Sequence, residues 1–235
     1  MTSTKYELTD ITHPAFPRLH RIRALRDIRP TGVKAGDLGG WVEGEHNLSH
    51  DGAAWVYGEA RVSERARVSD NARVSGSAQV SGNAWVIDNA WVSNEARVSG
   101  NAHVGDSAHV YGEAQVCDDA WVCGSAVVTD IADVSGQAAV DGHAFLLGDA
   151  QVREEGDIFH ASIMASGRFP ATLHRTRGGH ALMVGCWRGT VPEFRTMIES
   201  DEWVGATPDQ IKLRRPELLA FTAMCEARIA TWEKS

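Results

Sequence analysis

His103 and His109 stand six residues apart, each directly before a valine, and each is spaced eighteen residues from tryptophan: Trp85 and Trp121 flank His103, and Trp91 precedes His109. Eighteen residues before Trp85 and Trp91 stand Arg67 and Arg73. An imidazole can take a proton as a general base. Indole rings stack on planar groups, and guanidinium meets anions. Together these seven residues suit a small, planar, anionic ligand, with Arg supplying charge and Trp and His supplying stacking surface. They can act together only if the chain returns to the same place every eighteen residues.

The sequence meets that condition. From Val56 to Val152 an aliphatic residue recurs every sixth position, seventeen in all, and only Leu146 is not valine. Four residues after each comes a small one, from Ala60 to Ala150 and then Gly156. Turn formers lie between, as in Ser75-Gly76-Ser77, Asp88-Asn89 and Gly142-His143. A period of six fits neither a helix nor a hairpin meander. It fits a solenoid in which each hexapeptide gives one short strand and one corner, and three hexapeptides close a triangular coil. Six coils at a strand spacing of about 4.8 Å make a prism roughly 29 Å tall.

Side chains alternate along a strand, so the residue before each inward aliphatic points outward. Steps of eighteen sort these residues onto three faces. Face one carries Trp55, Arg73, Trp91, His109, Val127 and Phe145; face two carries Arg61, Gln79, Arg97, Gln115, Asp133 and Gln151. Face three carries Arg67, Trp85, His103, Trp121, Ala139 and Asp157. All the tryptophans of the repeat thus fall on faces one and three. Stacked exposed aromatics mark a surface for a partner, either another subunit packed about a threefold axis or a ligand in the cleft that such packing creates.

Residues 53–160 resemble the hexapeptide-repeat, left-handed parallel β-helix family, and the expected handedness comes from that resemblance. The upstream stretch LHRIRALRDIRPTGVKAGDLGGWVEGEHNLSHDGAAWVYGEA, Leu19–Ala60, resembles the opening of hexapeptide-repeat proteins of phages and prophages. The likeness implies a homotrimer and a setting in the cytoplasm of a bacterial host. Many members of the wider family are acyltransferases using coenzyme A, and His103 and His109 would then be the general-base candidates. Such enzymes usually interrupt the repeat with a loop for the acceptor, whereas here the register is unbroken. Zinc carbonic anhydrases of the same fold use histidines across a subunit interface. His103 and His109 lie on different faces with no third histidine placed beside them, so no metal site and no cofactor are expected.

The flanks and the charge complete the reading. Lys and Arg number 23 against 31 Asp and Glu, for a formal charge of −8, which argues against general nucleic-acid binding. Cys117, Cys123, Cys186 and Cys225 show neither disulfide nor zinc spacing, and Cys117 and Cys123 read as small surface residues. No apolar run suggests a signal peptide or membrane span. Arginines gather in the cap and first three coils, while residues 98–152 hold no Lys or Arg and many Asp, so an anion would bind toward the N-terminal half.

Residues 1–52 read as an irregular N-terminal cap with a strand near Leu19–Leu25, residues 53–160 as the β-helix, and residues 161–235 as a C-terminal cap and small α-helical tail. In that tail a strand is expected at Ala181–Val184. Helix starts are expected at Thr190 and Thr207, and a longer helix over Pro216–Lys234. The functional expectation is a non-enzymatic, homotrimeric binding protein that captures a small anionic, nucleotide-like molecule at inter-subunit clefts. Its ligand-binding residues would be Arg67, Arg73, Trp85, Trp91, His103, His109 and Trp121. The alternatives are a coenzyme A-dependent acyltransferase and a structural or protein-interaction module.

Overall fold

The computed structural model describes residues 4–163, 169–201, 203 and 206–233. Its centre is a solenoid of about six coils. Among the described residues it holds seventeen two-residue strands, β4 (Trp55–Val56) to β20 (Gln151–Val152), which follow strands β1 to β3 of the N-terminal cap. The inward valines, Leu146, and the alanines from Ala60 to Ala150 are each at most 1% exposed, so the sixfold period is the core itself. Adjacent coils pair in parallel at a step of eighteen, Val56 with Val74 and Trp91 with His109. The Trp55 amide donates to the Ala72 carbonyl (3.1 Å), and the Tyr57 amide donates to that of Val74 (2.8 Å). This stacking gives three parallel sheets, one for each face.

Corners pass through left-handed backbone. Gly124 (φ 67°) fits because a Cβ there would lie 2.8 Å from the Gly142 amide nitrogen of the next coil. Aspartates take the same conformation at Asp88, Asp106, Asp118 and Asp130. Each repays the strain with a hydrogen bond one coil on. Asp88 Oδ2 accepts from the Asp106 amide (3.1 Å), Asp106 Oδ2 from Gly124 (2.9 Å), Asp118 Oδ2 from Gly136 (3.0 Å) and Asp130 Oδ2 from Gly148 (2.7 Å). Much of the acidic character of the later coils therefore belongs to corner architecture.

The N-terminal cap is more regular than expected. Strands β1 (Tyr6–His13) and β2 (Phe16–Ala24) form an antiparallel hairpin, and β3 (Leu38–Val42) joins that hairpin to the Arg61–Val62 strand of face two. Trp55 was expected to point outward; instead it is 1% exposed, with Tyr6 edge-on to its ring at 6.4 Å. Side chains satisfy the open end of the first coil. Lys5 Nζ donates to the carbonyls of Ala54 (2.9 Å) and Asp51 (3.3 Å), and the Tyr6 hydroxyl donates to that of Leu48 (2.8 Å). Asn47 Oδ1 accepts from the Glu43 and Gly44 amides while Asn47 Nδ2 donates to the Glu64 and Ala66 carbonyls.

The other end repeats that device. Asp157, expected outward on face three, is 3% exposed, because a 3-10 turn at Glu155–Asp157 turns it under the last coil. Its Oδ2 accepts from the Arg153 and Glu154 amides, and Arg175 Nη1 donates to Oδ1 at 2.9 Å. Beyond it stands a four-stranded antiparallel sheet, β21 (Ile158–Ile163), β22 (Phe169–Thr176), β23 (Gly179–Val184) and β24 (Trp187–Gly189). The expected Ala181–Val184 strand is part of β23. Helices α1 (Val191–Glu199) and α2 (Pro208–Trp232) cover this sheet around a second core that includes Leu173, Leu182, Phe194, Ile198 and Phe221.

Thr190 and Thr207 both form the capping boxes their sequences suggest. The two later helix starts merge, however: α2 runs through Pro216, which leaves the Lys212 carbonyl without its helical donor. The expected end at Lys234 lies outside the described residues.

Two predictions follow from the corners and the cap. Asp106→Ala removes a cross-coil acceptor and puts a Cβ without local hydrogen bonding at φ 52°. It should cost about 1–2 kcal/mol in urea denaturation, and Asp106→Gly less, since glycine adopts that φ freely. Burial, with Arg26 nearby, lowers Lys5 from 10.5 to about 8, against the raising effect of Asp51. The unfolded chain thus binds the extra proton between those values, and stability should rise as pH climbs from 8 toward 10. Burial raises Tyr6 above its ordinary 10, so ionisation in the unfolded chain should reverse the trend above that pH. Thermal melts of wild type and Lys5→Met would show the rise only in wild type.

Candidate functional site

The coil step places the chemistry-bearing side chains in two separate columns. On face one, Arg73, Trp91 and His109 are register partners on adjacent coils, in the strands β7 (Arg73–Val74), β10 (Trp91–Val92) and β13 (His109–Val110) of one parallel sheet. Arg73 Nη2 donates to the Pro30 carbonyl (3.1 Å), and Trp91 Nε1 donates to Ser75 Oγ (3.1 Å). The Trp91 and His109 rings meet edge to face, with centroids 5.7 Å apart and planes at 66°. With Pro30, Asn71 and Asn89 they line an open groove of about 420 Å³. Trp91 stays 41% exposed, so a ligand could reach its ring.

On face three the column is longer, with four members from Arg67 to Trp121. The Arg67 guanidinium lies over the Trp85 ring at 5.8 Å. Trp85 and His103 have centroids 6.2 Å apart with planes at 31°, and His103 stacks on Trp121 at 4.5 Å and 15°. Burial lowers the His103 imidazole below its ordinary 6.5, while the carboxylates of Asp88 and Asp106 pull the other way. The ring is thereby biased toward its neutral form at neutral pH, in which it can stack on indole or accept a proton.

The structure therefore brings together Arg73, Trp91 and His109, and separately Arg67, Trp85, His103 and Trp121. Within one chain the corner that carries Asp70, Asp88 and Asp106 separates the two sets. Sequence reasoning missed Pro30, whose carbonyl fixes an arginine 43 positions later; nothing local marks that contact. It also missed the amide ladder, in which Asn71 Nδ2 donates to Asn89 Oδ1 at 3.2 Å, although the eighteen-residue spacing carried that signal.

Several arginines of the N-terminal half have structural partners. Arg61 lies over Phe16 at 4.6 Å, and Arg21 lies over Trp41 while pairing with Glu59 at 2.8 Å. Burial, reinforced by nearby carboxylates, raises the thiols of Cys117 and Cys123 above their ordinary value, which disfavours the nucleophilic thiolate. Among the described residues no group of three or more His, Cys, Asp or Glu side chains could hold a metal ion. No helix among them is long and apolar enough to cross a membrane.

An NMR pH titration checks the electrostatics of the stacked histidine. The His103 ring should titrate below 6.5. Neutralising its carboxylate neighbours through Asp88→Asn and Asp106→Asn should push it lower still, since both favour the imidazolium.

With this geometry in place, likeness to known proteins adds one point. A family model described as the YdcK beta solenoid repeat matches residues 66–80 and 78–94. No curated protein matches the chain. The matched stretches contain Arg67, Arg73, Trp85 and Trp91, but the likeness is one of repeat architecture and assigns them no role. Sequence likeness and fold agree that this is a β-solenoid repeat protein.

Proposed function

We propose that this protein works by binding rather than by catalysis, as a homotrimer that captures a small anionic, nucleotide-like molecule at the clefts between its subunits. The observation that carries the reading is the face-one groove, where an arginine pinned by the Pro30 carbonyl stands one coil from an exposed indole and two from an imidazole. A planar ring can lie against Trp91 while Arg73 meets a phosphate or carboxylate. Packing of face one against face three of a second copy would bring Arg67, Trp85, His103 and Trp121 to the same ligand. That packing would bury the aromatic columns, which are costly to leave in water as contiguous patches.

Such a protein needs abundance and affinity but no reacting group. The phage-like opening of the sequence suits a role in removing a signalling nucleotide from a bacterial host's response. A second reading, acyl transfer from coenzyme A with His103 as general base, draws on the bias of His103 toward its neutral form. The unbroken coil register weighs against it, since no loop among the coils builds an acceptor pocket.

Native mass spectrometry of protein taken directly from expressing cells tests the proposal. The expected result is a trimer carrying a discrete nucleotide-sized mass. Trp91→Ala and Arg73→Ala should each weaken recovery of that mass and nucleotide binding by roughly tenfold or more, ~1.4 kcal/mol. Trimeric variants with unchanged binding would overturn the site, a monomer would remove the inter-subunit cleft, and a coenzyme A adduct with His103-dependent turnover would replace binding by acyl transfer.

A further inference from the structure

The face-three column stops short at Ala139. Trp121 and Ala139 are register partners on adjacent coils, so the alanine occupies the place where the next ring of the ladder would stand. One face of Trp121 is covered by His103, stacked within 15° of parallel. The opposite face looks along the column toward Ala139, whose methyl covers little of an indole that remains 54% exposed.

What lies beyond Ala139 is a groove of about 420 Å³ between the prism and the C-terminal unit. Ala139 is its floor, Phe159 adds an apolar wall, and Asp141, Glu155, His160 and Arg228 supply polar groups. Three contacts hold that wall in place. Trp232 Nε1 donates to the Gly156 carbonyl at 2.6 Å, Arg175 pairs with Asp157 at 2.9 Å, and Phe159 stacks on Phe221 with centroids 6.0 Å apart. Gly156 matters here because it stands where the repeat has alanine. A Cβ there would be in ordinary contact with Arg228 Nη1 at 3.9 Å, so the guanidinium lies beside that glycine. Among the described residues Arg228 makes no ion pair, whereas Asp141 Oδ1 lies 3.7 Å from His160 Nδ1.

From this arrangement we infer that the junction groove is a second ligand site, distinct from the face-one groove. Its occupant is a planar heteroaromatic ring with N–H donors on its edge and an anionic substituent, the chemistry of a guanine nucleotide. The ring lies over Ala139, one coil beyond Trp121 in the same column, with Phe159 as its apolar wall. The carboxylates of Asp141 and Glu155 accept from its N–H edge, the pairing by which carboxylates read base edges. Arg228 takes the phosphate, and the volume lies within the range of about 300–1,000 Å³ usual for small-molecule sites. Carboxylates and a guanidinium lining one groove favour a ligand that carries both N–H donors and negative charge. A simple anion would meet two like charges.

Isothermal titration with guanosine 5′-monophosphate tests the site on the full chain. The titration uses an Arg73→Ala/Trp91→Ala background, so that failure of the face-one groove cannot mimic failure here. Binding should persist in that background and fall at least tenfold with Arg228→Gln. Ala139→Leu, an exposed substitution that fills the slot without touching the core, should abolish it. Asp141→Asn with Glu155→Gln should narrow the preference for guanosine over uridine 5′-monophosphate. The absence of heat in the background variant would overturn the inference, as would binding indifferent to Ala139→Leu.

Discussion

Backbone pairing at a step of eighteen residues is the constraint on which everything else in this molecule rests. The amides on either side of each inward valine donate to carbonyls of the next coil, as Arg73 does to Ala90 and Ser75 to Val92, both at 2.9 Å. A coil one residue longer or shorter would turn every later valine out of the core and every outward side chain in. The interior takes valine at the strand, with Leu146 the one exception, and alanine at the corner because three strands converge there in a closely packed core. Outward side chains inherit the same order and stand in columns whether or not a ligand needs them. The columns on faces one and three are thus consequences of the core, and their chemistry was free to vary without disturbing it.

A solenoid held by such pairing has two open ends, and both are closed in the same way. At one end Asn47, and at the other Asp157, sits buried in a 3-10 turn with a side-chain oxygen accepting two backbone amides. Asn47 also donates its own amide to the first coil, while the carboxylate of Asp157 cannot donate and takes the guanidinium of Arg175 instead. Neutral amide against charged carboxylate is the difference in what each end meets, bare carbonyls in one case and a basic side chain in the other. The corner aspartates Asp88, Asp106, Asp118 and Asp130 follow the same logic, each exchanging backbone strain for a hydrogen bond to the next coil.

Grooves form where the end units overhang the prism. Pro30 of the N-terminal cap walls the groove containing Arg73 and Trp91, and Arg228 of α2 walls the one beyond Trp121. A smooth prism face offers stacking surface but little concavity, so enclosure has to come from parts of the chain outside the repeat. The two grooves also differ in charge. The first presents arginine and asparagine, and the second sets arginine against carboxylates.

The period of six and the outward columns were legible in the sequence, because a core with one strand residue and one corner residue per hexapeptide leaves an unmistakable spacing. The capping boxes at Thr190 and Thr207 were equally legible, since a helix start is settled by residues three apart. Tertiary structure alone decided the rest. Trp55 holds an outward register position and yet is buried because the N-terminal cap covers it, and Asp157 leaves the outward column because a 3-10 turn folds it under the last coil. Pro216 reads as a helix start, but Thr207 had already opened the helix, and packing of Ile211, Leu218 and Phe221 carries it through the proline. The anchoring of Arg73 by Pro30 and the placing of Arg228 beside Gly156 join residues 43 and 72 positions apart. A repeat fixes what lies one coil away; which residues enclose a groove depends on where the non-repeating ends fold back.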